Sequence, residues 1–386
     1  MKKEHLLKVS LVVGIFCLLG IFYISHVMLC SKDSTDGSIL TIKVEPINNM
    51  NISFFDGYRV AGFDNTHRAL GVTSADFNND GNMDFAVSYA VKGKGQRISI
   101  FLNDGNLSFT KKDVYVFSYS EIDDLDSGDY DNDGDVDLMF THNEHEWHDG
   151  ICYNMNGTIK LLFNDGNNCF TKEKIIARRG TGIIGDDEAR INPQLSSADY
   201  DMDGDIDLLV GDNSGKVEFY LNDGRGNFTA QGVIHDFGRG SWGLASADFD
   251  NDGDIDFIVD AENEETPGYG HYYLKRNNVS SGCFASGYGE IVGNLSTGTA
   301  SLAPIDYDGD GDMDFVTGNI GCFYLFINGN TTYKSKYLGE LPRNTGGIDV
   351  LVSGVLSSAD FNNDGKEDFI SGGSQGIVRL FISNIT

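Results

Sequence analysis

The sequence predicts an all-β protein, a β-propeller of four-stranded antiparallel blades, preceded by one N-terminal transmembrane helix. Three observations carry that reading. An acidic nine-residue motif recurs six times, at starts 53, 70, 49, 58 and 54 residues apart, and a period near 50 marks a propeller or a similar array rather than separate domains. Short apolar runs flank each copy, read as strands by their length and their Val, Ile, Phe and Tyr content. Glycine numbers 48 against 5 prolines, a composition suited to many tight turns.

The 386 residues hold 58 Asp and Glu against 28 Lys and Arg, a formal charge of −30. Such a surface repels phosphate backbones, which argues against nucleic-acid binding. With 40% hydrophobic and 11% aromatic residues, the chain can still bury a core, so the acidity does not signal disorder.

At the N-terminus, Lys2, Lys3 and Lys8 precede an uncharged run from Val9 to Leu29 of 21 residues. As a helix it spans about 31 Å, the thickness of a hydrocarbon core. It exceeds an ordinary secretory apolar region, and no small-x-small cleavage site follows it. The basic flank places the short N-terminus in the cytoplasm. The expected division is 1–8 cytoplasmic, 9–29 signal-anchor, 30–37 linker and 38–386 extracellular propeller, or a secreted body if the segment is cleaved. Eight Asn-x-Ser/Thr sequons are a mild excess that suits export. So do Cys152, Cys169, Cys283 and Cys322, an even number compatible with two disulfides; Cys152–Cys169, within one repeat, is the favoured pair.

The motif reads D-x-[DN]-x-D-G-x-x-D. Its first copy offers Asp76, Asn78, Asp80, Asn82 and Asp84, and its second Asp129, Asp131, Asp133, Asp135 and Asp137. The third offers Asp199, Asp201, Asp203, Asp205 and Asp207, and the fourth Asp248, Asp250, Asp252, Asp254 and Asp256. The fifth offers Asp306, Asp308, Asp310, Asp312 and Asp314, and the sixth Asp360, Asn362, Asp364, Lys366 and Asp368. Oxygens at positions 1, 3 and 5 curl around a hard cation, glycine at 6 allows the sharp turn, the carbonyl of 7 points inward and Asp at 9 closes the shell. An all-oxygen, flexible set favours Ca²⁺ over Zn²⁺ and Mg²⁺. An EF-hand is rejected, because position 12 holds Val87, Phe140, Val210, Val259, Thr317 and Ser371 instead of Glu. Six calcium sites are expected, tightest in the middle four, which keep Asp at position 3. Six ions would bring the formal charge of −30 to about −18, and each site filled at ten times its Kd adds about 1.4 kcal/mol.

The surroundings complete a blade. A first strand ends in Ala-Asp (Gly71–Ala75, Gln194–Ala198, Gly243–Ala247, Val355–Ala359). A second strand follows the loop, and a third ends in Asn103-Asp104-Gly105, Asn164-Asp165-Gly166 or Asn222-Asp223-Gly224, hairpin signals. A fourth opens on Phe109, Phe170 or Phe228. These features resemble the FG-GAP/VCBS repeats, the blades of the integrin α-chain head and of many prokaryotic surface proteins. The resemblance covers roughly residues 66–383 and implies Ca²⁺ at the Asp and Asn positions named; it does not imply a ligand. The Phe-Gly and Gly-Ala-Pro elements that named the integrin repeats are not evident here.

The last repeat stops after its third strand, and Asn51-Ile-Ser-Phe-Phe resembles the fourth-strand opening Asn106-Leu-Ser-Phe-Thr. Six blades, the last completed by the N-terminal segment, is the expectation; seven, with residues 38–65 starting an extra blade, is the alternative. Calcium loops and Asn-Asp-Gly turns should share one face. The other receives the insertions His142–Gly157, Arg178–Pro193, Asp260–Gly270 and Tyr333–Gly347, where function tends to ride. His145 and Trp147 in an insertion, and Trp242 just before a first strand, are the ligand-face candidates. The functional expectation is a calcium-binding, membrane-anchored recognition or adhesion module for a protein or glycan. Two alternatives stay open: a polysaccharide lyase or hydrolase, and a structural subunit of a surface complex. No Gly-x-Ser-x-Gly, His-Glu-x-x-His or P-loop occurs, so no enzyme activity is expected.

Overall fold

The computed structural model describes residues 55–62, 69–91, 95–117, 120–148, 151–166, 168–179, 182–183, 193–212, 214–238, 241–262, 270–281, 284, 289–295, 301–319, 322–329, 333–340, 356–372 and 377–383. Of these, 55–62, 69–70, 91, 117, 120–121, 144–148, 151–156, 179, 182–183, 241–242, 262, 270, 281, 294–295, 319, 339–340 and 377 are described by backbone alone. The described strands form six antiparallel sheets. The first blade runs Ala69–Ala75, Asp84–Val91, Gly95–Asn103 and Phe109–Phe117. The second runs Leu125–Gly128, Asp137–His148, Ile151–Asn164 and Phe170–Arg179, with Ser120–Glu121 and Gly182–Ile183 added at its margins. The third comprises Gln194–Ala198, Asp207–Gly211, Lys216–Asn222 and Phe228–Asp236. Ser241–Ala247, Asp256–Glu262, Gly270–Lys275 and Glu290–Leu295 make the fourth. The fifth consists of Ser301–Ile305, Asp314–Asn319, Cys322–Ile327 and Lys334–Glu340.

The sixth blade decides the count. Leu356–Ala359, Asp368–Gly372 and Ile377–Ser383 supply three strands, and Phe55–Gly62 pairs antiparallel with the last of them. Phe55 stands opposite Ser383 as Phe109 stands opposite Asn103. Phe55–Gly62 therefore belongs to the sixth blade and not to a seventh; it covers an edge that would otherwise be open.

First strands of consecutive blades pack side by side, and that of the sixth returns to that of the first. They line an axial cavity of about 220 Å³. Hydroxyls tie neighbours there: Thr73 to Ser127 at 2.8 Å and Ser196 to Ser246 at 2.8 Å. The apolar clusters lie between successive blades, and the largest joins the fifth, sixth and first. Position 2 of every motif is buried in these seams as Phe77, Tyr130, Tyr200, Phe249, Tyr307 and Phe361, each contributing about 2–3 kcal/mol.

Three expectations are corrected. His142–Gly157 is not a loop: the second blade's central strands extend through it, with His145 opposite Asn154 and Trp147 opposite Cys152. His148 pairs with Ile151; the sequence between them, Asp149-Gly150, is a strong hairpin signal, and the flanking β-branched and aromatic residues favour strand over loop. Trp242 lies within the fourth blade's first strand, not before it. The pair Cys152–Cys169 is not made. Cys152 sits near the start of the 14-residue strand Ile151–Asn164, whereas Cys169 precedes Phe170, which pairs with Asn164 at its far end. At about 3.3 Å per residue that separation far exceeds disulfide reach. Cys169 and Cys322 are free thiols; the side chains of Cys152 and Cys283 lie outside the described residues.

Candidate metal centre

Each loop is built by its own polar atoms. Position 4 is left-handed in all six copies (Asn79, Asn132, Met202, Asn251, Gly309, Asn363), with φ between 55° and 72°. Glycine at position 6 is left-handed too, φ 83° to 96°, a conformation that a Cβ opposes. The position-1 carboxylate accepts the backbone N–H of position 6 throughout: Asp129 from Gly134 at 2.9 Å, Asp199 from Gly204 at 3.0 Å, Asp248 from Gly253 at 2.9 Å. The position-5 carboxylate accepts the N–H of position 7, as in Asp203 from Asp205 at 3.0 Å.

Position 9 is fully buried in every copy and clamps two segments. One oxygen of Asp207 accepts the Tyr200 N–H at 3.3 Å and the other the Asn222 N–H at 2.8 Å. The same pair of bonds recurs at Asp84, Asp137, Asp256, Asp314 and Asp368. Burial, opposed by those N–H bonds and helped by the neighbouring loop carboxylates, pushes all six carboxyls up to about 7. A carboxylate held in that state is one that a divalent ion would stabilise.

Carboxylate oxygens converge in the middle four copies. Asp129, Asp131 and Asp137 lie within 4.8 Å of one another, as do Asp199, Asp201 and Asp203; Asp248, Asp250 and Asp256; and Asp306, Asp308 and Asp310. Oδ1 of Asp131 and Oδ1 of Asp250 are buried without a hydrogen-bond partner, a state that costs about 1–3 kcal/mol unless something fills it. Oxygen-only donors with orphaned inward atoms fit Ca²⁺. The outer copies differ: Asn78 and Asn362 turn their amides on Asp80 and Asp364 at 2.9 and 3.1 Å, and no such cluster forms there among the described residues.

Four of the position-7 side chains accept hydrogen bonds across the ring from the preceding blade. Asn79 donates to Asp135 at 2.9 Å, Asn132 to Asp205 at 2.6 Å, Asn251 to Asp312 at 2.5 Å and Asn363 to Asn82 at 2.9 Å. Each bond joins position 4 of one blade to position 7 of the next. Where Met202 or Gly309 stands at position 4, the bond is missing; the Asp254 carboxylate instead accepts the Val279 N–H at 3.0 Å. The expected face is as drawn from sequence: Gly105, Gly166 and Gly224 of the third-to-fourth turns lie against Asn82, Asp135 and Asp205.

Sequence reasoning missed a second set. The asparagine ending the third strand was read as a turn residue, yet its amide crosses the seam. Asn103 donates to the Phe361 carbonyl at 2.8 Å, Asn164 to Phe77 at 3.1 Å, Asn222 to Tyr130 at 2.9 Å, Asn277 to Tyr200 at 2.7 Å and Asn328 to Phe249 at 2.9 Å. The available signal was its recurrence even where Asp-Gly is absent, as in Arg276-Asn277-Asn278.

The side chains of His145, Trp147 and Trp242 lie outside the described residues, so no ligand contact is assigned to them. No helix among the described residues is long and apolar enough to cross a membrane; Val9–Leu29 falls outside them.

Residues 76–140 and 199–259 match the FG-GAP-like repeat family. The chain carries FG-GAP-like repeats. A curated relative, a T-cell immunomodulatory protein homolog from Plasmodium yoelii yoelii, is 26% identical over 201 residues. That match takes in 49% of this chain and 26% of the relative, so the chain spans about a quarter of that protein's length. Among solved structures, AofleA from Arthrobotrys oligospora is similar at 9% identity and TM-score 0.47, over 85% of this chain and 86% of that one. The two matched FG-GAP-like stretches contain three of the four carboxylate clusters.

Proposed function

We propose that this chain is a calcium-stapled extracellular propeller, anchored by Val9–Leu29, that recognises a protein or a glycan. The observation that carries the calcium part is the recurrence of four oxygen-only clusters on one face of a closed ring, two of them with buried, unpartnered oxygens. FG-GAP-like repeats and a relative named as immunomodulatory support the recognition part. In this reading calcium makes the ring rigid, the opposite face presents the ligand site, and no reaction is catalysed. The uncharged N-terminal run and the sequons support placement at the cell surface as a glycoprotein.

Calorimetric titration of the detergent-solubilised full chain with Ca²⁺ tests the first part; absence of heat and an unchanged melting point in excess EGTA would sink it. A glycan array and a polysaccharide panel test the second. Binding without turnover is expected; release of sugar products would establish an enzyme instead. Carbonate extraction of membranes tests the anchor, which fails if the chain leaves with the soluble fraction.

A further inference from the structure

The four complete loops are not alike, and the difference tracks a basic side chain behind position 3. In the fourth blade, the residue before the seam asparagine is Arg276, where the other blades have Leu102, Phe163, Leu221, Ile327 and Ile382. Its guanidinium pairs with Oδ2 of Asp250, and its other terminal nitrogen reaches Glu290 at 3.3 Å. In the second blade a cation comes to the corresponding place from the next strand. Lys172, opposite Phe163 in the pairing, sets its ammonium 3.9 Å from the centre of the Phe163 ring. Its charge partly offsets the upward push on Asp131 from burial and from Asp133.

The third and fifth blades lack this backing. Leu221 and Ile327 fill the place, and Lys334, opposite Ile327, makes no ion pair among the described residues. The carboxylates follow suit. With a cation behind it, position 3 gathers with position 1 and the buried position 9: Asp131 with Asp129 and Asp137, Asp250 with Asp248 and Asp256. Without one, it gathers with positions 1 and 5: Asp201 with Asp199 and Asp203, Asp308 with Asp306 and Asp310. The buried, unpartnered oxygens belong to Asp131 and Asp250, while Asp201 accepts the Asp203 N–H at 3.3 Å and Asp308 is exposed.

We propose that Arg276 and Lys172 divide the four complete loops into two classes of calcium site, weaker in the second and fourth blades and tighter in the third and fifth. The inference rests on the calcium reading above. Ligand charge count tunes the affinity of such sites, and a fixed partner of a ligating carboxylate both orients it and draws off its charge. One positive charge beside a divalent ion in a near-aqueous surround weakens binding on the order of five- to tenfold. Counted over positions 1, 3, 5 and 9 with the backing cation included, the backed loops then carry a net −3, the charge that the outer loops reach with asparagine at position 3.

Calcium calorimetry on the full chain, wild type against Arg276→Gln and Arg276→Gln/Lys172→Gln, tests this. Glutamine keeps the stem without the charge, and melts without calcium verify folding. The expected tight step holds two sites in wild type, three in the single variant and four in the double variant. A tight step already holding four sites in wild type, or one unchanged by both substitutions, overturns the division while leaving calcium binding intact. No calcium heat in wild type overturns the parent reading instead.

Discussion

Five of the six seams between blades are tied by an asparagine amide reaching the preceding blade's backbone; the seam between the fifth and sixth is not. There the third strand ends in Ser383, whose hydroxyl is buried without a partner, and position 4 of the fifth loop is Gly309 in place of asparagine. Other groups cross it. The Glu367 carboxylate accepts the Asp306 N–H at 3.0 Å and the Ser358 hydroxyl donates to the Pro304 carbonyl. A continuous apolar cluster runs from Ile305 and Phe323 through Phe361 and Phe369 to Phe85. Blades formed from contiguous chain are held at fixed spacing by directional bonds. The blade assembled from both ends of the propeller relies at this seam more on apolar burial, which tolerates small misplacement.

The largest expected effect acts on every seam alike. In protein stripped of divalent ions, six position-9 carboxyls raised to about 7 from 3.8 make stability pH-dependent. A carboxyl raised in the folded state stabilises fully below its unfolded value, and that contribution is lost as pH rises through the folded value. Stripped protein should therefore be more stable at pH 5 than at pH 8, by several kcal/mol summed over the six buried carboxyls. Calcium-loaded protein should show the opposite slope, because protons compete with the ion. Parallel slopes would count against the ion's contact with position 9.

Next in size is Asp207→Ala, which strands the buried N–H groups of Tyr200 and Asn222 and should cost about 3–4 kcal/mol in urea unfolding. Asn222→Ala removes bonds to the Tyr130 and Ile206 carbonyls and should cost about 2 kcal/mol, whereas Ser383→Ala should stay within about 0.5. Equal losses at the two positions would erase the distinction between seams. The smallest effects are gains: Ser383→Asn, supplying the missing amide, about 1 kcal/mol, and Met202→Asn, better suited to the left-handed backbone, about 0.5–1 kcal/mol. A thermal melt reads both, and a loss in either variant contradicts the seam geometry.

Much of this was legible in the chain because loops and hairpins are local. The nine-residue spacing located all six loops, and Phe109, Phe170 and Phe228 opened their strands as read. The closing strand was legible from its likeness to Asn106-Leu-Ser-Phe-Thr, although Phe55, not Phe54, takes the register of Phe109. The seam bonds were not legible, since Asn103 meets Phe361 across 258 residues. Nor was the backing of position 3: Lys172 lies on the second blade's fourth strand and Arg276 just past the end of the fourth blade's third, and only the fold brings them to corresponding places. The long hairpin of the second blade was misread because its polar composition outweighed the Asp149-Gly150 signal.

The antiparallel union of Phe55–Gly62 with Ile377–Ser383 has a temporal consequence. During synthesis the earliest strand of the body emerges with no mate and must wait while five complete sheets form behind it. Ring closure is thus the final act of folding, after the other five blades have been synthesised. A premature stop before Ile377 would leave Phe55–Gly62 without a mate and Asp368–Gly372, still paired with Leu356–Ala359, with an open edge, both available to chaperones and to neighbouring copies alike.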